Sequence, residues 1–344
     1  MLIFDRKNLV GVDIGSYAVK AVKVKGTTVK TLDAIAYSRL DHITLPQDNL
    51  RLSEALRNLF NAHRITTKKV AAVLPGNYLT LTHLYLPKMP KKDMKEAVRW
   101  EMRKQITFPP EELVCDFTSI GEVKRGEDIM ISLIAFGAMK RDVGQVIKIF
   151  EDALLEPSTI DATPIAMLAS FNHNNVWEDG INYSMMDIGE SKSTLAIFKD
   201  KRLMFAREIP IAGKELTISV MERLACAEAV AEKEKIRCGI VYSGEGDRAI
   251  ADALSGVMER LVAEAHRSFD YYQAQFREGA INKMFLCGGT SKLNGIDDFF
   301  TSSLGIPCFV DDPLRNIRIE PKRFTLTRLR EFGPDLTVAV GLAL

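Results

Sequence analysis

The sequence predicts an α/β protein of two lobes, with a small α+β subdomain inserted into the first, and three observations carry that expectation. First, Val10-Gly-Val-Asp-Ile-Gly-Ser16 and Met185-Met-Asp-Ile-Gly-Glu-Ser191 repeat one design, an apolar strand ending in Asp-Ile-Gly followed by small polar residues and a second strand. The two stretches lie half a chain apart, too far for a solenoid repeat and suited to equivalent strands of two duplicated halves. Second, 344 residues of which 47% are hydrophobic can bury one large or two ordinary cores. Third, residues 80 to 140 carry their own strand and helix patterns around the breaker Pro87-Lys-Met-Pro90.

Composition narrows the function classes. Lys plus Arg number 46 and Asp plus Glu 45, a formal net charge of +1, so the overall field asks for no nucleic acid. Cys115, Cys226, Cys238, Cys287 and Cys308 are odd in number and form no Cys-x-x-Cys, which predicts reduced thiols rather than a disulfide frame or a zinc site. The five histidines are scattered and none forms His-Glu-x-x-His. Met1 to Lys7 carries a charge at Asp5 and does not read as a signal peptide. The longest greasy stretch, Ile129 to Met139, is interrupted by Ser132 and Gly137 and suits a buried strand. The expectation is a cytoplasmic protein whose membrane contact is indirect, through partners.

Taken in order, Leu9 to Lys25 reads as strand, tight turn and strand. Ala36 to Ala62 reads as a loop and an amphipathic helix, with Leu52, Leu56, Leu59 and Phe60 at helical spacing. Val70 to Leu74 is a buried strand stopped by Pro75-Gly76. In the inserted unit, Leu79, Leu81, Leu84 and Leu86 suggest a strand, Asp93 is a candidate cap for a helix carrying Met94, Val98, Met102 and Ile106, and Ile129 to Phe136 is a second strand. Helices are expected over Val143 to Leu155 and over Ile160 to Phe171, with Pro164 at the entry of the latter. The second half opens at Ile181 with a strand to Asp187, then strands over Thr194 to Phe198 and Arg202 to Phe205. Helical segments follow over Glu215 to Arg237, Ala249 to Phe276 and Ile296 to Leu304, with a strand at Met284 to Cys287 and a final apolar run, Val338 to Leu344. These elements divide the chain into a first lobe (1–79), the inserted subdomain (80–140), the first lobe continued (141–180), a second lobe (181–214), its helical subdomain (215–278), the second lobe continued (279–324) and a return to the first lobe (325–344).

Strand alternation in the first hairpin puts Lys20 on the row of Val22 and Val24, where an ammonium needs an anionic partner. A phosphate at the mouth of the turn would supply one, with Gly15 letting the backbone approach and the N–H groups of Gly15, Ser16 and Tyr17 forming an anion nest. An ordinary Asp-x-Gly turn with a lysine reaching to solvent gives the same local pattern. In the second hairpin Asp187 is again followed by a glycine, Gly189, and by hydroxyls at Ser191, Ser193 and Thr194. Asp13 and Asp187 at two strand ends suit a hydrated magnesium ion held through water. Gly288 and Gly289 follow a strand and would let an adenine or ribose lie against the backbone. Glu232 and Lys235 stand one helical turn apart and by themselves read as a solvated charge pair.

Competing phosphate motifs fail. Gly213-Lys214 is followed by Glu, so it is no P-loop. Gly244-Glu-Gly-Asp-Arg-Ala249 imitates a dinucleotide fingerprint, but only the short run Ile240-Val-Tyr242 precedes it and no βαβ unit frames it.

The two hairpins, the Gly-Gly loop and the Ala-Glu-x-x-Lys helix, in this order, resemble the actin, Hsp70 and FtsA superfamily of two-lobed ATP-binding proteins. Within it the chain is similar to the PilM family of type IV pilus assembly. That resemblance rests on Leu9 to Ser16 with Val19-Lys20, Leu86-Pro-Lys-Met-Pro90 leading to Ala97-Val-Arg-Trp-Glu101 and Phe108-Pro109, Met186-Asp-Ile-Gly189, Phe205-Ala-Arg-Glu-Ile209 and Val338 to Leu344. It implies an actin-like, ribonuclease H-like ATPase fold that binds ATP with magnesium. Asp13, Gly15, Ser16 and Lys20 would hold the first phosphate loop and Asp187, Gly189, Ser191 and Ser193 the second. Glu232 and Lys235 would meet ribose and base, and Gly288 and Gly289 would back the adenosine.

The resemblance also implies a scaffold under the inner membrane that grips the cytoplasmic N-terminal tail of PilN in a groove beside the inserted subdomain, among other pilus assembly proteins and compatibly with self-association. The Lys88, Lys91, Lys92, Lys95, Arg99, Arg103 and Lys104 set would give that subdomain a basic face toward lipid headgroups or a partner, or simply a solvated helix face, and the methionines of its helix would fill the subdomain's own core or suit an adaptable groove wall. Two departures weaken the expectation of turnover. The superfamily's Gly-Gly-Thr-Thr-Asp reads Glu190-Ser-Lys-Ser-Thr194 here, and its Glu-Pro reads Thr163-Pro164. The catalytic residues are therefore unassigned, with weak or no ATPase activity expected. A sugar or acetate kinase with Asp161 as base, and a filament-forming FtsA-like protein, stay open at this stage.

Overall fold

The structure, a computed structural model, describes residues 9–40, 48–126, 128–240, 248–276, 279–325, 329 and 332–344. The chain opens with strands β1 (Val10–Ile14), β2 (Ala18–Lys25) and β3 (Thr31–Arg39), helix α1 (Asn49–Ala62) and strand β4 (Lys69–Val73). Next come β5 (Leu79–Pro87), α2 (Lys91–Met102), β6 (Leu113–Arg125) and β7 (Asp128–Met139). The chain continues through α3 (Lys140–Asp152), β8 (Glu156–Asp161) and α4 (Thr163–Asn174). The second half runs β9 (Tyr183–Ile188), β10 (Ser193–Lys199), β11 (Arg202–Ile209), α5 (Gly213–Leu224), α6 (Glu228–Cys238) and α7 (Arg248–Phe276). It closes with β12 (Lys283–Cys287), α8 (Ile296–Leu304), β13 (Cys308–Val310) and α9 (Thr337–Ala343).

Two five-stranded sheets share one topology. Their orders are β3-β2-β1-β4-β8 and β11-β10-β9-β12-β13. In each, a meander of three antiparallel strands is followed by two strands parallel to the first. Asp13 of β1 and Asp187 of β9 therefore occupy equivalent places, near the C-terminal ends of the strands flanked on both sides, where open α/β sheets present their ligands. The duplication legible in the two Asp-Ile-Gly stretches is a duplication of sheets.

The third sheet, β5-β7-β6, is covered on one side by α2, whose Met94, Val98 and Met102 are buried against Leu84, Leu86, Leu113 and Leu133. These methionines fill the subdomain's own core, and Met102 packs where a Cβ on Gly137 would stand. Of the two readings open to them, core filling is the one seen. The opposite face, with Ile120 and Ile134, packs against the second sheet's core. The final apolar run is the buried helix α9 lying on β1, β2 and α4. Glycines make that approach possible, since a Cβ at Gly11 would strike the Ala339 carbonyl and one at Gly341 the Ala166 carbonyl.

Several elements differ from the sequence expectation. Ala36 lies in β3, not in a loop; its pattern is blurred by a bulge between Lys23 and Val24 of the partner strand. β6 shows little alternation because it is an edge strand with few buried residues, held by pairing along β7. Ile160 and Asp161 end β8, and the following helix starts at Thr163. The Glu215 to Arg237 segment is two helices, parted at Ala225, whose φ of 48° stops α5. Asp93 is not a cap: Pro90 precedes α2, and Asp93 sits in its first turn, where its charge meets the positive helix end. Ile106 lies beyond α2. Residues 241–247, which carry most of the fingerprint look-alike, and Met1 to Asn8 lie outside the described residues.

Candidate functional site

The central strands β1 and β9 bring their aspartates to one cleft. Asp13 and Lys20 are register partners across the first hairpin, with Lys20 Nζ 2.9 Å from Asp13 Oδ2. The anion that the apolar row of β2 demands is thus supplied by the protein itself. Burial opposes the charge on Lys20 more than any other single influence, but the carboxylates of Asp13, Asp335 and Asp187 together raise its pKa above the ordinary lysine value. Asp187 is partly accessible yet crowded by protein; burial, and then the neighbouring charge of Asp13, push its pKa up to about 6.

The anion nest is smaller than expected, because the Gly15 N–H donates to the Ala18 carbonyl (3.0 Å) and closes its own turn. The second turn closes in the same way, with Gly189 N–H on the Lys192 carbonyl (3.1 Å). The hairpin tips meet, Ser16 Oγ lying 3.0 Å from Ser191 Oγ. Ser193 does not join them; its hydroxyl is buried and donates to the Ile211 carbonyl at 2.6 Å, which anchors the hairpin instead.

Gly288 adopts φ 82°, and a Cβ there would collide with Asp187 Oδ1 and the Ile188 carbonyl. Gly289 stands against Asp335, where a Cβ would approach Oδ1 to 2.8 Å. The Gly-Gly pair therefore lines the same cleft as the hairpins. Glu232 and Lys235 are not a solvated pair. Lys235 is buried, with Nζ 2.6 Å from Glu232 Oε2 and donating to Thr217 Oγ1 (2.9 Å) and the Gly213 carbonyl (3.3 Å). Thr217 Oγ1 also donates to Glu232 Oε2 at 2.6 Å. The Tyr17 phenol feels Glu232, Asp335 and Glu190 as negative neighbours, so the first hairpin faces α6 and the second hairpin across the cleft.

Three contributors escaped the sequence reading. Asp335, buried in the single turn Gly333–Leu336, pairs with Lys292 at 2.6 Å. Thr290 Oγ1 donates to the Gly189 carbonyl (2.7 Å) and ties the Gly-Gly loop to the second hairpin. The Lys192–Glu208 ion pair (3.0 Å) packs on Gly76 of the first half so closely that no Cβ would fit. A Pro-Asp just before an uninterrupted apolar helix was the available signal for Asp335. Thr290 and Glu208 carry none.

Asp161, at the C-terminal end of β8, accepts the Ala162 N–H on Oδ1 at 2.9 Å, just before α4. The basic face of the inserted unit is partly neutralised, with Lys88 on Glu122 (2.8 Å) and Lys104 on Glu101 (2.7 Å), while Arg103 lies over Trp100.

Two sheets of equal topology, each delivering an aspartate to a shared cleft, define the actin-like fold. Ethanolamine utilization protein EutJ from Carboxydothermus hydrogenoformans shares it at 16% identity and a TM-score of 0.59, over 98% of this chain and 89% of that one. So does MreB5 of Spiroplasma citri solved with ADP, at 12% identity and a TM-score of 0.53, over 97% and 94%. The family model of the type IV pilus assembly protein PilM matches residues 11–344. A solved PilM–PilN type IV pilus biogenesis complex is 28% identical over 98% of both chains, with a TM-score of 0.87. The chain belongs to the PilM family of type IV pilus assembly proteins. Among the described residues, no helix is long and apolar enough to cross a membrane.

Proposed function

We propose that the chain is a cytoplasmic, ATP-binding scaffold of the type IV pilus assembly platform that holds the cytoplasmic N-terminal tail of PilN beside its inserted subdomain, reaching the inner membrane only through such partners. The observation that carries this reading is the full-length likeness to the PilM–PilN complex, inserted subdomain included. The cleft residues fit the cofactor. Gly288 and Gly289 stand so close to Asp187 and Asp335 that neither has room for a Cβ, so bare backbone lines the cleft there, and Asp13, Asp187 and Asp335 outnumber the facing ammoniums of Lys20 and Lys292. That excess of negative charge suits a hydrated magnesium ion, held through water by Asp13 and Asp187. Ser16, Gly15 and Lys20 would meet one side of the phosphates and Gly189 and Ser191 the other, with Glu232 and Lys235 toward the nucleoside.

When bound, the nucleotide supplies a bridge between the lobes rather than a reaction. Thr163 and Glu190-Ser191 stand where the superfamily resemblance expects groups that position water or metal, so hydrolysis is slow or absent. A nucleotide that favours one lobe angle alters peptide affinity, by ~1–3 kcal/mol where such coupling exists. Fluorescence anisotropy of a labelled PilN tail peptide, titrated with the full chain with and without magnesium ATP, tests the proposal. Saturable binding supports it, and absence of binding under both conditions removes it.

A further inference from the structure

A second groove lies away from the nucleotide cleft, between the inserted subdomain and the second sheet, with a volume of about 420 Å³. This is the size of site that accepts a ligand of a few side chains. Its lining includes Leu81, Thr82 and His83 in succession on β5, and Met204 to Arg207 in succession on β11. Successive residues of a strand point to opposite faces, so a groove lined by consecutive residues runs along the strands' edges rather than over a face. Both strands are edges, since β5 pairs only with β7 and β11 only with β10 among the described residues. Edge main-chain groups are the standing invitation to an added strand.

Side chains around these edges specify what would enter. Ile134 and Met204 give an apolar floor, and Tyr271, half exposed, stands against Phe205 with ring centroids 5.4 Å apart. At the end formed by α7, Glu264 is shared by two guanidinium groups, with Arg207 Nη2 at 2.8 Å and Arg267 Nη1 at 3.0 Å. One carboxylate for two arginines leaves a net positive charge facing an apolar trough. An arginine shared in this way binds a further carboxylate bidentately at little rearrangement cost.

We infer that this groove docks an extended segment of a partner protein as an added strand, with apolar side chains at alternate positions over Tyr271 and Phe205 and an aspartate or glutamate against Arg207 and Arg267. This rests on the scaffold reading above and takes the occupant to be a segment other than the PilN tail, which would give the scaffold a second peptide contact.

The test uses the full chain and an array of seven-residue peptides, with Leu, Ile or Phe at positions two and four and Asp or Glu at position six. Asn and Gln analogues serve as controls. The best acidic peptide should bind about tenfold or more tightly than its amide analogue. Arg267→Glu should weaken it by a similar factor, and Arg267→Lys should retain most of the affinity; Arg267 is mostly exposed, so neither change threatens folding. Hydrogen exchange should slow at residues 81–83 or 204–207 on binding. The PilN tail should bind wild type and Arg267→Glu equally. Acidic and amide peptides binding alike, no binding by any peptide, or no slowed exchange at either edge overturns the inference. Loss of PilN tail binding in Arg267→Glu also overturns it, by giving the groove to PilN. Failure of the PilN tail to bind wild type counts against the scaffold reading instead.

Discussion

Asp13 and Lys20 face each other as register partners across the first hairpin, Oδ2 to Nζ at 2.9 Å, each side chain almost fully covered. Their pairing couples the fold to the cleft, because the same ammonium also answers Asp187 and Asp335. Lys20→Met leaves Asp13 beside two further carboxylates and should destabilise the free protein by about 3–5 kcal/mol, the usual cost of orphaning a buried charge. The double variant Asp13→Asn with Lys20→Met should recover a good part of that loss in urea melts. Calorimetry should show ATP affinity falling at least ~10-fold in both Asp13→Ala and Lys20→Ala, as removal of a charge-assisted contact demands. Unchanged affinity in both removes these residues from the nucleotide site.

Hydrolysis should be slow. Thr163 brings no carboxylate to the entry of α4, and Asp161 nearby already accepts the Ala162 N–H. Steady-state phosphate release should lie far below the ~10 s⁻¹ of a typical enzyme. A rate near that value contradicts the scaffold reading.

The legible and illegible parts of the chain divide along physical lines. The two hairpins could be read because Asp-Ile-Gly after an apolar run is a local signal, and α2 and α7 because their buried positions keep helical period. β3, β6 and β8 were hidden for different reasons. A bulge disturbs the pairing of β3, few residues of β6 are buried, and β8 ends directly in the proline-marked entry of α4. In the cleft, Asp13, Asp187 and the Gly-Gly pair were found by spacing. The burial of Lys235 was not, because Thr217 and the Gly213 carbonyl reach it from another helix. Asp335 lay outside every motif, its role fixed by Lys292 and Gly289 rather than by its neighbours in sequence.

Helix α9 depends on two glycines for its seat. Gly341→Ala would drive a methyl into the Ala166 carbonyl on α4, backbone against backbone, where no rotamer can yield. The expected cost is about 1–3 kcal/mol, typical of overpacking and read as a lower urea midpoint. Ala at Gly144, where a Cβ meets nothing within 4 Å, is the control and should cause no such loss.

His83 predicts an acid-sensitive component of stability. Its ring is wedged between Tyr85 (4.4 Å) and Phe276 (4.5 Å), Nε2 lies 2.7 Å from Ser132 Oγ, and the buried Nδ1 has no partner among the described residues. Burial, and then the nearby Arg125 charge, hold its pKa down at about 4 against the ordinary 6.5. The folded state therefore binds fewer protons than the unfolded one between these values. This contribution is fully present above pH 6.5 and is lost as pH falls through about 4. Discounted for the partial exposure of the ring, the loss should be about 1–3 kcal/mol. His83→Phe keeps an aromatic ring in the stack and removes the titration. Urea melts at pH 7.5 and pH 4 should show the variant gaining on wild type by that amount as the solution is acidified, while carboxylate titrations common to both proteins cancel. A difference between the two proteins that stays constant with pH would mean that His83 reaches water in the folded state.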